Sequence, residues 1–367
     1  MNNCIKCGAE LREGAKFCNK CGAPVQTKMF CHQCGVELEP NDMFCHVCGS
    51  SMQKESAQKS NINMNDFDIQ NGVLVKYIGD GGDVVIPNCI TQIGKEAFYG
   101  CENLTSITIP NSVTKISEWA FYGCRNLTSI TIPNSVTQIG EEAFYGCENL
   151  TSITIPNSVT KIIEKAFHSC NNFTNITIPN SVTQIGEQAF ENCTSLTSIT
   201  IPNSVTQIGD KAFYECTSLE NITLPNVITY IGQAIFFNCT SLKNIVIPNN
   251  VIIIGAVAFW GCHSLTSITI PNSVAKIGQW AFNGCTKLTS ITIPNSVTEI
   301  DVGAFADCTN LTSIKIPNSV TKINARTFEN CTSLESIIIP DSVTEIDKTA
   351  FDGCDKLVLP EKYNKYR

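Results

Sequence analysis

The chain has 367 residues, 43 % of them hydrophobic, with 33 acidic against 25 basic side chains and a net charge of −8. Residues 1–50 carry five basic and five acidic side chains, so the surplus negative charge lies in residues 51–367, where it repels a polyanion and argues against nucleic acid as a partner. The N-terminus has no charged segment followed by an apolar one, and no apolar run approaches membrane-spanning length, so neither a secretory signal nor a membrane span is read and a cytoplasmic location is expected.

There are 21 cysteines, an odd count that, without an export signal, argues against a disulfide framework. Eight lie in residues 1–49, as Cys4-x2-Cys7-x10-Cys18-x2-Cys21 and then Cys31-x2-Cys34-x10-Cys45-x2-Cys48, the second unit repeating the first at an offset of 27. Paired C-x-x-C knuckles at short separation suit a tetrahedral four-thiolate zinc site, so two structural Zn2+ are expected, with no ligand position left open for chemistry. Gly8, Gly22, Gly35 and Gly49 follow the second cysteine of each pair and let the backbone turn around the thiolates. Iron in a rubredoxin-like site and free or disulfide-bonded cysteine are the alternatives. His32 and His46, between paired cysteines, are expected to be exposed rather than ligating. The module resembles the double zinc-ribbon family across nearly all of residues 1–49. With two Zn2+ and eight thiolates adding −4, its charge balance favours docking to protein over nucleic acid.

Residues 50–65 are polar and aperiodic and read as a flexible linker. Residues 66–86 follow as a cap, in which Asn71-Gly72 between alternating apolar runs signals a hairpin. Residues 87–360 hold one 23-residue phrase written twelve times: proline recurs from Pro87 to Pro340 and cysteine from Cys101 to Cys354 at that period. A fixed period of this length predicts a stacked solenoid whose stability comes from neighbour interfaces. In the first rung Ala97, Phe98, Cys101 and Leu104 fit one face of a short helical turn, Ile107 and Ile109 alternate as a short strand, and Val113 and Ile116 point inward again. At about 4.8 Å per stacked strand, twelve rungs span about 55–60 Å. Residues 361–367 form a polar tail expected to fray.

The run Leu104-x-x-Ile107-x-Ile109-Pro110, inside V-x-x-I-x-x-x-A-F-x-x-C-x-x-L, resembles the BspA-like subfamily of leucine-rich repeats over residues 66–360. The resemblance implies a leucine-rich repeat solenoid of short parallel strands and short helical turns. It also implies surface adhesins that bind host proteins or other cells.

The cysteines of the array sit on the apolar face of each turn and read as small core hydrophobes rather than redox or metal groups. The Ser/Thr grid on the strands, Ser106/Thr108 through Ser290/Thr292, reads as β-propensity with hydroxyl pairing, and Glu220, Lys243, Asn244 and Val246 interrupt it. The residue after each Ala-Phe is often aromatic: Tyr99, Tyr122, Tyr145, Tyr214, Phe237 and Trp260, with Trp119 and Trp280 at a neighbouring position. Each ring either packs over the next rung or lines a partner site. His168 and His263 are too far apart to cooperate, and no phosphate-loop, nucleophile-elbow or zinc-protease motif occurs. The expected function is a non-enzymatic protein-interaction scaffold, with the zinc ribbons as a second docking module. The rivals are an exported cell-surface adhesin and a nucleic-acid-associated regulator acting through the ribbons.

Overall fold

The computed structural model describes residues 29–30, 37–38 and 62–366. The chain divides into two compact units, 1–61 and 62–367. In the first, Met29–Phe30 pairs antiparallel with Glu37–Leu38. The second is a stack of rungs, each contributing to three ladders that run along the stack.

The first ladder is a parallel sheet of Ser-Ile-Thr strands. Eight strands run from Gly82–Val85 to Asn244–Ile245, followed by Ser267–Thr269 with Ser290–Thr292 and Ser313–Lys315 with Ser336–Ile338. Register is one full repeat, Ser106 opposite Ser129 and Ile107 opposite Ile130. The central isoleucine is buried and its two neighbours face solvent, as in Ser152–Thr154, so strand alternation puts one side chain per strand into the core. The second ladder is made of two-residue strands such as Lys115–Ile116 and Gln138–Ile139, again parallel and in register. Proline at each strand end removes a ladder donor and turns the chain.

The third ladder corrects the expected helical turn. Residues such as Glu96 and Gly100 have positive φ, 58° and 66°, and the same two positions recur in rung after rung. Two left-handed residues four apart in the turn prevent an α-helix from propagating there. The amide of Phe98 donates to Ala120 O at 2.8 Å and that of Gly100 to Tyr122 O at 2.7 Å, so these groups bind the next rung instead of their own. Tight turns fill the intervals, with Cys101 N donating to Phe98 O and Leu104 N to Cys101 O.

The core is one continuous column per repeat position. The phenylalanines stack from Phe98 on Phe121 at 5.0 Å between centroids to Phe328 on Phe351 at 5.8 Å. At the N-terminal end Phe67–Gln70 and Val73–Tyr77 form an antiparallel hairpin through Asn71 and Gly72, both at positive φ, and Tyr77 stacks on Phe98. At the other end Glu361–Tyr366 forms a 3-10 helix, against the expected frayed tail. Tyr363 is buried there and Lys362 Nζ donates to Asp341 at 2.6 Å, so the segment covers the last rung.

Candidate interaction surfaces

The repeated polar letters close bonds between rungs. Thr137 Oγ1 donates to Thr114 O at 3.3 Å and Thr128 Oγ1 to Thr105 O at 3.0 Å. Ser112 Oγ donates to Ile90 O at 2.7 Å and Ser135 Oγ to Val113 O at 2.6 Å. From Cys124 on, each ladder cysteine thiol donates to the phenylalanine carbonyl of the preceding rung, Cys124 to Phe98 at 3.1 Å and Cys147 to Phe121 at 3.3 Å. Burial pushes the thiols from Cys124 to Cys308 up, Cys193 and Cys308 to about 12, which keeps them protonated and donating. Thiols held neutral in this way are poor nucleophiles and poor metal ligands. Cys89 stands apart and is exposed.

Seven of the eight predicted partner-binding aromatics fall into two stacks. Tyr99 stacks on Tyr122 at 4.9 Å, Tyr122 on Tyr145 at 4.6 Å, and Tyr145 on His168 at 4.3 Å. Tyr214 stacks on Phe237 at 4.6 Å, and tilted contacts of 5.8 Å then join Phe237 to Trp260 and Trp260 to Trp280. Ring faces inside each stack are thus occupied by neighbours, and ring edges remain for solvent. Trp119 lies outside both stacks, with Lys95 Nζ 4.2 Å above its ring and its buried indole nitrogen without a partner among the described residues.

Between the two stacks sits a pair that the sequence did not reveal. His168 Nε2 lies 3.4 Å from Glu191 Oε1, and His168 Nδ1 lies 2.9 Å from Ser169 Oγ. Burial works to raise the Glu191 carboxyl, but hydrogen bonds from His168 and Gln188 hold it below its ordinary value. His168 is only 7 % exposed and both its ring nitrogens have partners, so the pair is a satisfied polar plug in the aromatic column. The one sequence signal was that two consecutive rungs carry His and Glu where aromatics are usual.

A third feature is a trough beside the second ladder. Two adjoining concavities, of about 990 Å³ and 890 Å³, run from Val73 to Tyr230 and share Lys161 and Ile163. Glycine after the ladder isoleucine lets successive rungs approach there: a Cβ on Gly186 or Gly209 would collide with the backbone of the rung before it. One edge carries Glu118, Glu141, Glu164, Glu187 and Asp210, one per rung.

The eight predicted zinc ligands, with His32 and His46, lie outside the described residues. The strand pair Met29–Phe30 and Glu37–Leu38 brackets the Cys31–Cys34 knuckle in sequence. As a donor set, two groups of four thiols with Gly after each pair fit Zn2+, which prefers sulfur in a closed tetrahedron.

A family model for the BspA type leucine rich repeat region matches residues 68–172, 160–256 and 229–358. The chain belongs to the BspA-type leucine-rich repeat family. A double zinc ribbon model matches residues 4–49. Among solved structures, this BspA-type chain is 30 % identical to a leucine-rich repeat protein from Bacteroides ovatus, over 82 % of this chain and 95 % of that one, with a TM-score of 0.58. It is 31 % identical to a leucine rich cell surface protein from Faecalibacterium prausnitzii, over 80 % of this chain and 91 % of that one, with a TM-score of 0.53. No curated protein matches the chain. BspA-type repeats are typical of surface and interaction proteins, and among the described residues no helix is long and apolar enough to cross a membrane.

Proposed function

We propose that this BspA-type protein is a non-enzymatic scaffold that binds a protein partner along its solenoid, with the zinc-ribbon unit, holding two structural Zn2+ on Cys4, Cys7, Cys18, Cys21, Cys31, Cys34, Cys45 and Cys48, as a second docking module. The supporting observation is that the invariant letters of the repeat are spent on core columns and inter-rung bonds. What varies from rung to rung is the outward aromatic and charged positions, where aromatics favour protein contact. Two tethered modules raise affinity through effective concentration.

The test is affinity capture with the full-length chain beside a variant in which Trp119, Trp260 and Trp280 are alanine. Loss of the captured partner with the fold retained supports the reading; unchanged capture and unchanged stability remove these rings from the partner site. Residues 50–65 act here as the linker, 66–86 as the cap and 361–367 as the tail.

A second reading, an exported adhesin, is favoured by one observation: the Faecalibacterium relative is described as a cell surface protein. Fractionation separates the two, since chain found mainly outside the cell supports the adhesin and chain retained inside supports the scaffold.

A further inference from the structure

Rungs seven and eight, which begin at Pro225 and Pro248, break the repeat in one direction. Where other rungs place Ser, Thr and Gln or Lys, these place Val227, Ile252 and Tyr230 or Ile253, and the stretch Val251–Gly261 has no polar side chain except the indole N–H of Trp260. Val227, Tyr230, Ile252 and Ile253 are 43, 40, 48 and 38 % exposed. The change runs against fold stability, because Val227 and Ile252 stand where Ser and Thr hydroxyls elsewhere bond the preceding rung. Val257 adds a β-branched side chain at φ 50°, a conformation such residues rarely adopt. A ledge that lowers stability and exposes apolar surface marks a contact site.

The ledge terminates the trough. Tyr230 lines the last concavity and pairs in register with Ile253. The charged residues of that concavity are three carboxylates, Glu164, Glu187 and Asp210, against Lys161. Lys165 reaches Glu164 at 3.3 Å and Asp210 accepts from Gln233 N at 2.8 Å, while Glu187 is exposed with no ion pair among the described residues. Further along the same edge, burial and then the charges of Glu164 and Glu142 raise the Glu141 carboxyl, so the row gains from an added cation.

Spacing narrows the ligand. Glu164, Asp210 and Ala256, three residues after Ile253, occupy one repeat position on rungs four, six and eight. Two rungs are about 10 Å. A polyproline II segment repeats its face every three residues, at about 9 Å.

We propose that the trough and ledge bind an extended partner segment in polyproline II form, with basic side chains at positions i and i+3 over Glu164 and Asp210 and an apolar side chain at i+6 on Tyr230 and Ile253. This rests on the scaffold reading and gives it a partner chemistry. It assigns a role to Glu164, Asp210, Tyr230, Ile252 and Ile253.

The probe is a fluorescein-labelled Lys-Pro-Pro-Lys-Pro-Pro-Leu peptide, titrated by fluorescence polarisation into the full-length protein. A counterpart with glutamates for the lysines and one with glycine for the leucine serve as controls. Ile252→Thr with Ile253→Gln restores the Thr-Gln pair that rungs three, five and six carry at 137–138, 183–184 and 206–207, so it preserves the fold; Glu164→Gln with Asp210→Asn neutralises the edge. The expected result is saturable binding of the probe, at least tenfold weaker for either variant and either control peptide and weaker at higher salt. Equal binding by the restored variant or by the glutamate peptide overturns the proposal. So does concentration-dependent self-association of the wild type that the restored variant loses, which assigns the ledge to a second copy of the chain. Equal capture of a protein partner by wild type and restored chain overturns this surface and leaves the scaffold reading standing. A wild type that neither binds the probe nor retains any partner overturns both.

Discussion

The thiol of Cys216 donates to the carbonyl of Phe190, 3.1 Å away on the preceding rung. The same bond recurs up to Cys354 and Phe328. The Phe190 carbonyl also accepts from Cys193 N at 3.2 Å, so the thiol is its second donor, and a cysteine here combines a small apolar volume with a bond between rungs.

Cys216→Ala removes both the donor and a sulfur's volume. The expected cost is about 1–3 kcal/mol, read as a lower thermal midpoint. Cys216→Ser keeps a donor but buries a more polar group, and the bond it retains makes it less damaging than Cys216→Val, which retains volume but loses the bond between rungs and leaves the Phe190 carbonyl with Cys193 N alone. A Val variant as stable as wild type would show that the bond contributes nothing.

The thiols also set a pH dependence. Burial raises all nine from Cys124 to Cys308, two of them to about 12, above an unfolded value near 9. For a raised acid the folded state holds more protons than the unfolded one between those two values, so the stability is whole below about pH 9 and is lost as pH rises toward 12. Every thiol that stays protonated in the fold but ionises in the unfolded chain adds to the slope, so the loss is steep. Thermal midpoints measured from pH 8 to 10.5 should fall steeply; a flat profile contradicts buried, protonated thiols.

Much of this was legible in the sequence. The period, the strand around Ile107, and the inward set from Val113 to Leu127 follow from spacing alone, and all are buried where alternation put them. The turn was misread because offsets 0, 1, 4 and 7 fit a helix, whereas inward side chains with those offsets also fit a turn ladder held by left-handed residues such as Glu96, Lys165 and Gln188. Nothing in their residue types signals positive φ. The aromatic positions were found, but their stacking was not, since stacking depends on the registered distance between rungs. The ledge at Ile252 and Ile253 escaped notice because isoleucine in a β-rich repeat reads as core until the sheet's facing is known.

Glycines of the repeat divide into two kinds. A Cβ on Gly209 would strike the backbone of Gly186 and Glu187, whereas Gly100 faces open space at φ 66°. Gly209→Ala must push two rungs apart and should cost more than about 2 kcal/mol and widen the unfolding transition. Gly100→Ala pays only the left-handed conformation, about 1 kcal/mol. Equal losses in thermal melts would contradict the close rung contact at Gly209.

Chelation should act on one unit alone. With two Zn2+ held by eight thiolates, stripping the metal exposes eight thiols to a disulfide reagent, beyond the exposed Cys89 that reacts from the start. The array's melting should not move, because its core lies wholly within residues 62–367. Metal content clearly below two Zn per chain in fresh protein would remove the two-site assignment.

Ring position in the stacks predicts which aromatics are structural. Tyr122 has Tyr99 on one face and Tyr145 on the other, while Tyr99 ends its stack and is 53 % exposed. An aromatic pair contributes about 0.5–1.5 kcal/mol beyond area burial, so Tyr122→Ala, losing two pairs, should lower stability by about 1–3 kcal/mol and Tyr99→Ala by about half as much. A partner that reads this column meets Tyr99 by its free face and Tyr122 only by its edge. Tyr99→Ala should therefore weaken capture of the partner more than it lowers the melting temperature, and Tyr122→Ala should do the reverse. If both replacements change stability alone, the column is an internal strut and the partner is read elsewhere on the solenoid.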